Sequence, residues 1–170
     1  LAAVADTVKK HDGTLDKYIG DCVMAFWGAP TPNRQHGLAC VRAAIEAQRA
    51  IYDLNQRRTL ENQRRELENQ VRTAAGLPAK PLLPVLLLGT GINTGMAAVG
   101  LMGSEAHIQN YTVFGREVNL ASRLEGASGR GRIFISESTH KELLRDDPAL
   151  AVTCVALPPI TVKGIRTAVN

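Results

Sequence analysis

Residues 13–28 read Gly-Thr-Leu-Asp-Lys-Tyr-Ile-Gly-Asp-Cys-Val-Met-Ala-Phe-Trp-Gly. Two β-prone runs, Thr14–Ile19 and 22–27, flank Gly20-Asp21, a spacing that predicts a tight hairpin. Gly20 suits such a tip because a tight turn often requires positive φ. The second run is nearly all apolar, which predicts burial on both faces. Lys17 and Asp21 place a cation and a carboxylate near the mouth of the hairpin. On these residues alone the pair reads equally well as solvated surface charge.

Working outward, residues 1–10 carry apolar side chains at 1, 4, 5 and 8, a helical spacing, with Gly13 as the expected C-terminal cap. Asn33 is placed to cap a long helix starting near Arg34. Its apolar stripe runs through Ala39, Ala43, Ala44, Ala47, Ala50, Ile51 and Leu54. From 55 to 72 the helix turns polar and nearly repeats every seven residues, with Leu60 and Leu67 one heptad apart on a thin stripe. That stripe is read as a solvated extension, with a partner-packing helix as the alternative. Residues 76–81 end it.

Residues 82–88 read as a buried strand entering the glycine-rich run 89–95. That run lacks the dinucleotide-binding spacing and a phosphate-loop lysine, so it is read as a strand whose backbone is closely approached. Further strands are expected at 96–102, 111–114, 132–135, 151–155 and 160–162. Residues 116–127 form a helix that buries Leu120, Leu124 and Ala127. Asn119 and Arg123 are one helical turn apart on the flank of that face, a position from which side chains can line a groove. Ser136 is expected to cap a helix ending near Arg145.

At 170 residues the chain has one domain's length. Only 4% of residues are aromatic, so Leu, Val, Ile and Ala must build the core. A net charge of +4, with no basic block standing apart from acidic residues, excludes nucleic acid as the expected partner. Cys22, Cys40 and Cys154 are odd in number and lack CxxC spacing, which argues against a disulfide framework and against structural zinc. No apolar run is long enough to span a bilayer. The chain opens inside a helical pattern without Met, so it is read as a fragment lacking its N-terminal part.

Four segments taken together resemble the class III adenylate/guanylate cyclase catalytic domain: GTLDKYIGDCVMAFWGAP, GINTGMAAVGLMGS, NYTVFGREVNLASRLEGAS and the terminal VKGI. They stand in the family's order and cover most of the chain. The resemblance implies an α+β, ferredoxin-like fold: a central, mostly antiparallel sheet with flanking helices, here without its first strand. Residues 1–170 are then one catalytic domain with a long helical insertion at about 55–81. It implies a homodimer with shared active sites that convert ATP to 3′,5′-cyclic AMP and pyrophosphate for signal transduction. Two divalent ions per site, Mg²⁺ or Mn²⁺, would assist attack of the ribose 3′-OH on the α-phosphate.

Residue by residue, Lys17 matches the purine-selecting lysine and Thr112 the second purine position, the combination found in bacterial adenylate cyclases. An ammonium suits the N1 acceptor of adenine, and a hydroxyl can accept from its amino group. Asp21 matches the second metal aspartate, Asn119 the ribose-orienting asparagine and Arg123 the arginine that stabilises charge on the α-phosphate. Lys163 resembles a triphosphate-contacting lysine. Arg116 and Glu117 stand where many relatives read Asp-Ala. The first metal aspartate belongs to the strand expected upstream of Leu1. Two alternatives stay open: a non-catalytic nucleotide-binding or dimerisation module, and a guanylate cyclase. The domain is expected in the cytoplasm without direct membrane contact, and membrane anchoring of the longer protein is left open.

Overall fold

The computed structural model describes residues 1–104, 106 and 109–160. Helix α1, Ala2–Lys10, buries Ala5, Thr7 and Val8. It ends differently from the glycine-cap expectation. Asp12, not Gly13, takes the left-handed conformation, at φ 62°. Gly13 is needed for space: a Cβ there would lie 2.6 Å from the Trp27 ring and 2.8 Å from Val8. The hairpin follows as β1, Thr14–Ile19, and β2, Cys22–Phe26, antiparallel across Gly20 at φ 61°. β2 is half-buried along its length rather than buried on both faces.

Helix α2, His36–Ala74, has 39 residues and is about 58 Å long at 1.5 Å per residue. Asn33 serves the turn before it, where its side chain accepts from the Gln35 amide, and not the helix N-cap itself. Only its first third is buried: Gly37, Leu38, Val41, Ala43, Ala44 and Ala47. The remainder projects as an arm.

The expected strand at 82–88 is absent. These residues belong to a mostly exposed strap without regular secondary structure, which runs back along the arm. Asn55, Asn62 and Asn69 each grip one strap residue twice, donating to its carbonyl and accepting from its amide, at Leu86, Leu83 and Lys80 respectively. Arg58, Arg65 and Arg72 donate to the carbonyls of Pro84, Pro81 and Pro78. Seven helical residues advance about 10.5 Å, and three extended residues about 9–10 Å, so a heptad on the helix keeps step with a triplet on the strap. The side chains of α2 thereby satisfy backbone groups that a sheet would otherwise have to pair.

Beyond the strap come β3, Thr90–Ile92; β4, Ala98–Met102; β5, Asn110–Phe114; α3, Arg116–Ser128; β6, Ile133–Ile135; α4, Glu137–Asp146; and α5, Pro148–Ala151. β3 pairs parallel with β6, and β4 pairs antiparallel with β5. Among the described residues the strands thus pair as three two-stranded ladders, two antiparallel and one parallel. Ser136 caps α4 as expected, accepting from the Thr139 amide. The strand expected at 151–155 is replaced by the end of α5 and irregular chain. Asp147 accepts from the Leu150 amide and Pro148 stands at the first turn, two features that start a helix. The strand expected at 160–162 lies almost wholly outside the described residues.

The main core joins Leu38, Val41 and Ala44 of α2, Ile92 of β3, Leu143 of α4 and Ala151 of α5. α3 lies on β3, and Gly91 is what lets it approach. A Cβ at Gly91 would collide with the Ala121 carbonyl oxygen and the Glu125 amide nitrogen of α3. The close approach anticipated for the glycine-rich run is therefore helix backbone. With helices packed on mixed parallel and antiparallel strand pairs, the fold is α+β.

Candidate nucleotide site

β1 and β2 are out of simple register. Leu15 pairs with Ala25 but Lys17 pairs with Met24, so Asp16 is an extra, bulged residue. In a regular strand neighbouring side chains point to opposite faces; a bulge re-aims them. Here it lets Asp16 and Lys17 both reach Thr112 on β5. Lys17 Nζ donates to Thr112 Oγ1 at 3.2 Å. Thr112 Oγ1 donates to Asp16 Oδ2 at 2.6 Å, and the Val113 amide donates to the same carboxylate oxygen at 3.2 Å. The other oxygen, Oδ1, lies 3.3 Å from the Lys17 ammonium, close enough for an ion pair although the angle makes no hydrogen bond.

Asp16 has a fully buried side chain, Thr112 is 6% exposed, and the Lys17 side chain is 46% exposed. The cluster therefore has a buried anionic base and an accessible cationic rim. The two residues expected to read the purine come together across 95 positions. Asp16 was not among the expected site residues, because strict alternation along β1 would turn it away from Lys17.

Asp21 sits on the exposed hairpin turn after Gly20. Burial first, then the Glu125 carboxylate and last the charge of Asp21, raises the pKa of the neighbouring Cys22 thiol. No group of three or more His, Cys, Asp or Glu side chains able to hold a metal ion occurs among the described residues. A single carboxylate fits a Mg²⁺ ion that keeps waters and takes its other ligands from phosphates. It does not fit a two-ion site, which requires a further carboxylate.

Asn119 and Arg123 are exposed on the flank of α3, beside the face that buries Leu120, Leu124 and Ser128. Neither side chain has a hydrogen-bond or ion-pair partner among the described residues. Arg123 is not tied to Glu117 or Glu125; Glu117 instead receives a 2.8 Å hydrogen bond from Asn93. No hydrogen bond joins this pair to Lys17 or Thr112. Lys163 lies outside the described residues.

The chain is 34% identical over 122 residues to adenylate cyclase 1 of Rhizobium meliloti (strain 1021), an alignment covering 72% of this chain and 15% of that protein. It is 30% identical over 145 residues to an adenylate cyclase of Anabaena cylindrica, covering 84% of this chain and 24% of that protein. The chain thus spans under a quarter of the length of these relatives. Among solved structures, the adenylyl cyclase CyaB from P. aeruginosa superposes with a TM-score of 0.73 at 34% identity, covering 99% of this chain and 74% of that one. The guanylyl cyclase Cya2 superposes with a TM-score of 0.71 at 32% identity, covering 99% and 72%. Similarity thus extends to relatives named for either purine. The pattern of the family described as "Adenylate and Guanylate cyclase catalytic domain" matches residues 3–169, and the chain belongs to that family.

Proposed function

We propose that this domain is the catalytic domain of an adenylate cyclase, converting ATP to 3′,5′-cyclic AMP and pyrophosphate. The observation that carries the choice of purine is the Lys17–Thr112 hydrogen bond. An ammonium, which only donates, stands beside a hydroxyl that still has acceptor capacity. Adenine presents the complement, an acceptor at N1 and a donor at its amino group. Guanine presents the reverse, a donor at N1 and an acceptor at O6, which would leave polar groups mismatched in a partly desolvated site. The solved adenylyl and guanylyl cyclases are about equally similar, so the preference for ATP rests on this pair.

The other assignments follow from the family resemblance and the exposure of the side chains. Asn119 orients the ribose. Arg123, planar and permanently charged, stabilises charge developing on the α-phosphate. Lys163 contacts the triphosphate. Asp21 holds a divalent ion, Mg²⁺ or Mn²⁺, which when bound supplies positive charge to the phosphates; a second ion requires a carboxylate beyond those described.

Catalysis needs two copies in this reading, with Lys17 serving one site and Asp21 the other. Exposed apolar side chains on and beside the β4–β5 hairpin support a partner-covered surface: Met96 is 93% exposed, Leu101 66% and Met102 51%. Residues 1–170 act as one domain with α2 and its strap as an arm. No helix among the described residues is long and apolar enough to cross a membrane.

The test is a cyclic-nucleotide assay of the full-length protein with ATP and with GTP, each with Mg²⁺ and Mn²⁺. Cyclic AMP formed in preference to cyclic GMP is the expected result. Preferential turnover of GTP would replace the reading with a guanylate cyclase. Nucleotide binding without turnover would replace it with a non-catalytic module.

A further inference from the structure

We infer that Asp16 is a specificity-determining positioning residue, which fixes the hydrogen-bond polarity of Thr112 and the place of Lys17 so that the pair reads adenine. The inference rests on the adenylate reading above and goes one layer beneath it.

A threonine hydroxyl is by itself ambivalent, with one proton to donate and two lone pairs to accept with. Facing a purine, it could accept from the amino group of adenine or, after rotating, donate to the O6 of guanine. Thr112 alone would therefore discriminate poorly. An ionised carboxylate removes the ambiguity because it only accepts. Two acceptors compete for the Thr112 proton: Asp16 Oδ2 at 2.6 Å and the Val113 carbonyl at 3.5 Å. The shorter, charge-assisted bond wins. One Thr112 lone pair receives Lys17 Nζ, which leaves one lone pair, an acceptor, for the ligand.

The same count applies to Lys17. One of its three N–H groups is directed to Thr112, and the ion pair with Asp16 Oδ1 at 3.3 Å holds the ammonium in place without using a hydrogen bond, so the ammonium keeps donor capacity for the ligand. What is left for the ligand is donor capacity on Lys17 beside an acceptor on Thr112, the complement of adenine N1 and its amino group. The bulge at Asp16 makes this possible, since it brings consecutive carboxylate and ammonium side chains to the same partner. Asp16 is further locked by the Val113 amide, so the base of the pair is tied to the β5 backbone.

Asp16 touches no ligand in this scheme. It acts through Thr112 and Lys17, and its signature is a change in the ratio of purine preferences, not merely a loss of rate. Asp16→Ala removes the acceptor and frees the Thr112 hydroxyl to rotate. Asp16→Ser, too short to span to Thr112 but still polar, is the second truncation should the alanine variant not fold. Asp16→Asn retains an oxygen that can accept from both Thr112 and the Val113 amide.

The measurement is the ATP:GTP ratio of kcat/KM in the full-length protein. The ratio of Kd values, from displacement of a fluorescent ATP analogue by each nucleotide, reports the same preference if turnover is absent. The expected result is a fall of about tenfold in the ratio for the truncations, with the asparagine variant within about threefold of wild type. Truncations that lower ATP and GTP use equally make Asp16 a purely structural residue and overturn the inference. An asparagine variant as unselective as alanine also overturns it. A wild-type protein with no preference for ATP overturns the adenylate reading and the inference together, and the wild-type measurement alone identifies that case.

Discussion

Lys17 Nζ and Thr112 Oγ1, separated by 95 positions in the chain, are 3.2 Å apart and hydrogen-bonded. The contact makes the two side chains a single hydrogen-bonded unit carried on two strands, β1 and β5, the unit proposed to read the purine. Reversing one member should reverse the chemistry offered to the base. Lys17→Glu replaces a donor with an acceptor, and also places a second carboxylate beside Asp16. We expect ATP kcat/KM to fall by about 10- to 100-fold, the effect of leaving one or two polar groups mismatched. GTP should lose less. Steady-state kinetics with both nucleotides check this, and undiminished ATP selectivity would remove Lys17 from the purine site.

Arg123 offers a clean separation of catalysis from stability. It is exposed and makes no ion pair among the described residues, so its removal leaves no buried partner stranded. Arg123→Ala should leave Tm unchanged within error and raise the barrier by about 2–4 kcal/mol, read in kcat. Arg123→Lys should recover only part of the loss, because an ammonium lacks the planar fork of the guanidinium. A wild-type kcat in the alanine variant would show that the arginine has no role in the chemistry.

Gly91 ties α3, the helix that carries Arg123, to the fold. A methyl group there meets the backbone of α3 at Ala121 and Glu125, which cannot swing aside as a side chain could. Gly91→Ala should therefore cost about 1–3 kcal/mol or more, as overpacking does, and displace the helix that carries Asn119 and Arg123. Denaturant unfolding measures the first effect. A kcat loss beyond what the unfolded fraction explains measures the second.

What the chain reveals in sequence depends on how local the signal is. The β1–β2 hairpin, α3 and the Ser136 cap are legible because period, turn residue and cap lie within a few positions of one another. Lys17 and Thr112 were legible as a pair only through family resemblance, since no local pattern links residues so far apart. Asp16 was hidden by a bulge, which shifts register by one and so defeats the alternation rule. The run at 82–88 was misread because its hydrophobicity resembles a strand. Yet the key to it was present: Asn at 55, 62 and 69 and Arg at 58, 65 and 72, opposite Pro at 78, 81 and 84. The heptad is visible, but following its leucines gives only a solvated extension, whereas its asparagines and arginines carry the contacts to the strap.

The middle rung of that clasp predicts the behaviour of the arm. Asn62 both donates to the Leu83 carbonyl and accepts from the Leu83 amide, at 2.9 and 2.7 Å. Asn62→Ala should release the strap locally, weakening it by about 1–3 kcal/mol through two lost partners. Hydrogen exchange at Leu83 should accelerate, while amides in the α2 segment around Leu38 and Val41 keep their protection. Equal acceleration in both regions would mean that arm and core unfold together.

Alkaline pH should expose the contribution of Cys40. Burial pushes its thiol from an ordinary 9.0 up to about 12, so the folded state disfavours the thiolate. A group with a raised folded pKa contributes stability that is complete below the unfolded value and is lost as pH rises toward the folded one. Stability should therefore decline from about pH 9 toward pH 12, because the unfolded chain gains solvation of a thiolate that the folded chain withholds. Cys22 acts in the same direction, raised by burial first and then by Glu125 and Asp21. Cys40→Ala should flatten this alkaline limb in urea titrations across that range, at some cost in packing at neutral pH. In native protein near pH 8 a thiol reagent should leave Cys40 unmodified while labelling the exposed Cys154. Rapid labelling of Cys40 would show that its thiol, partly buried against the main core, is reachable in the native fold.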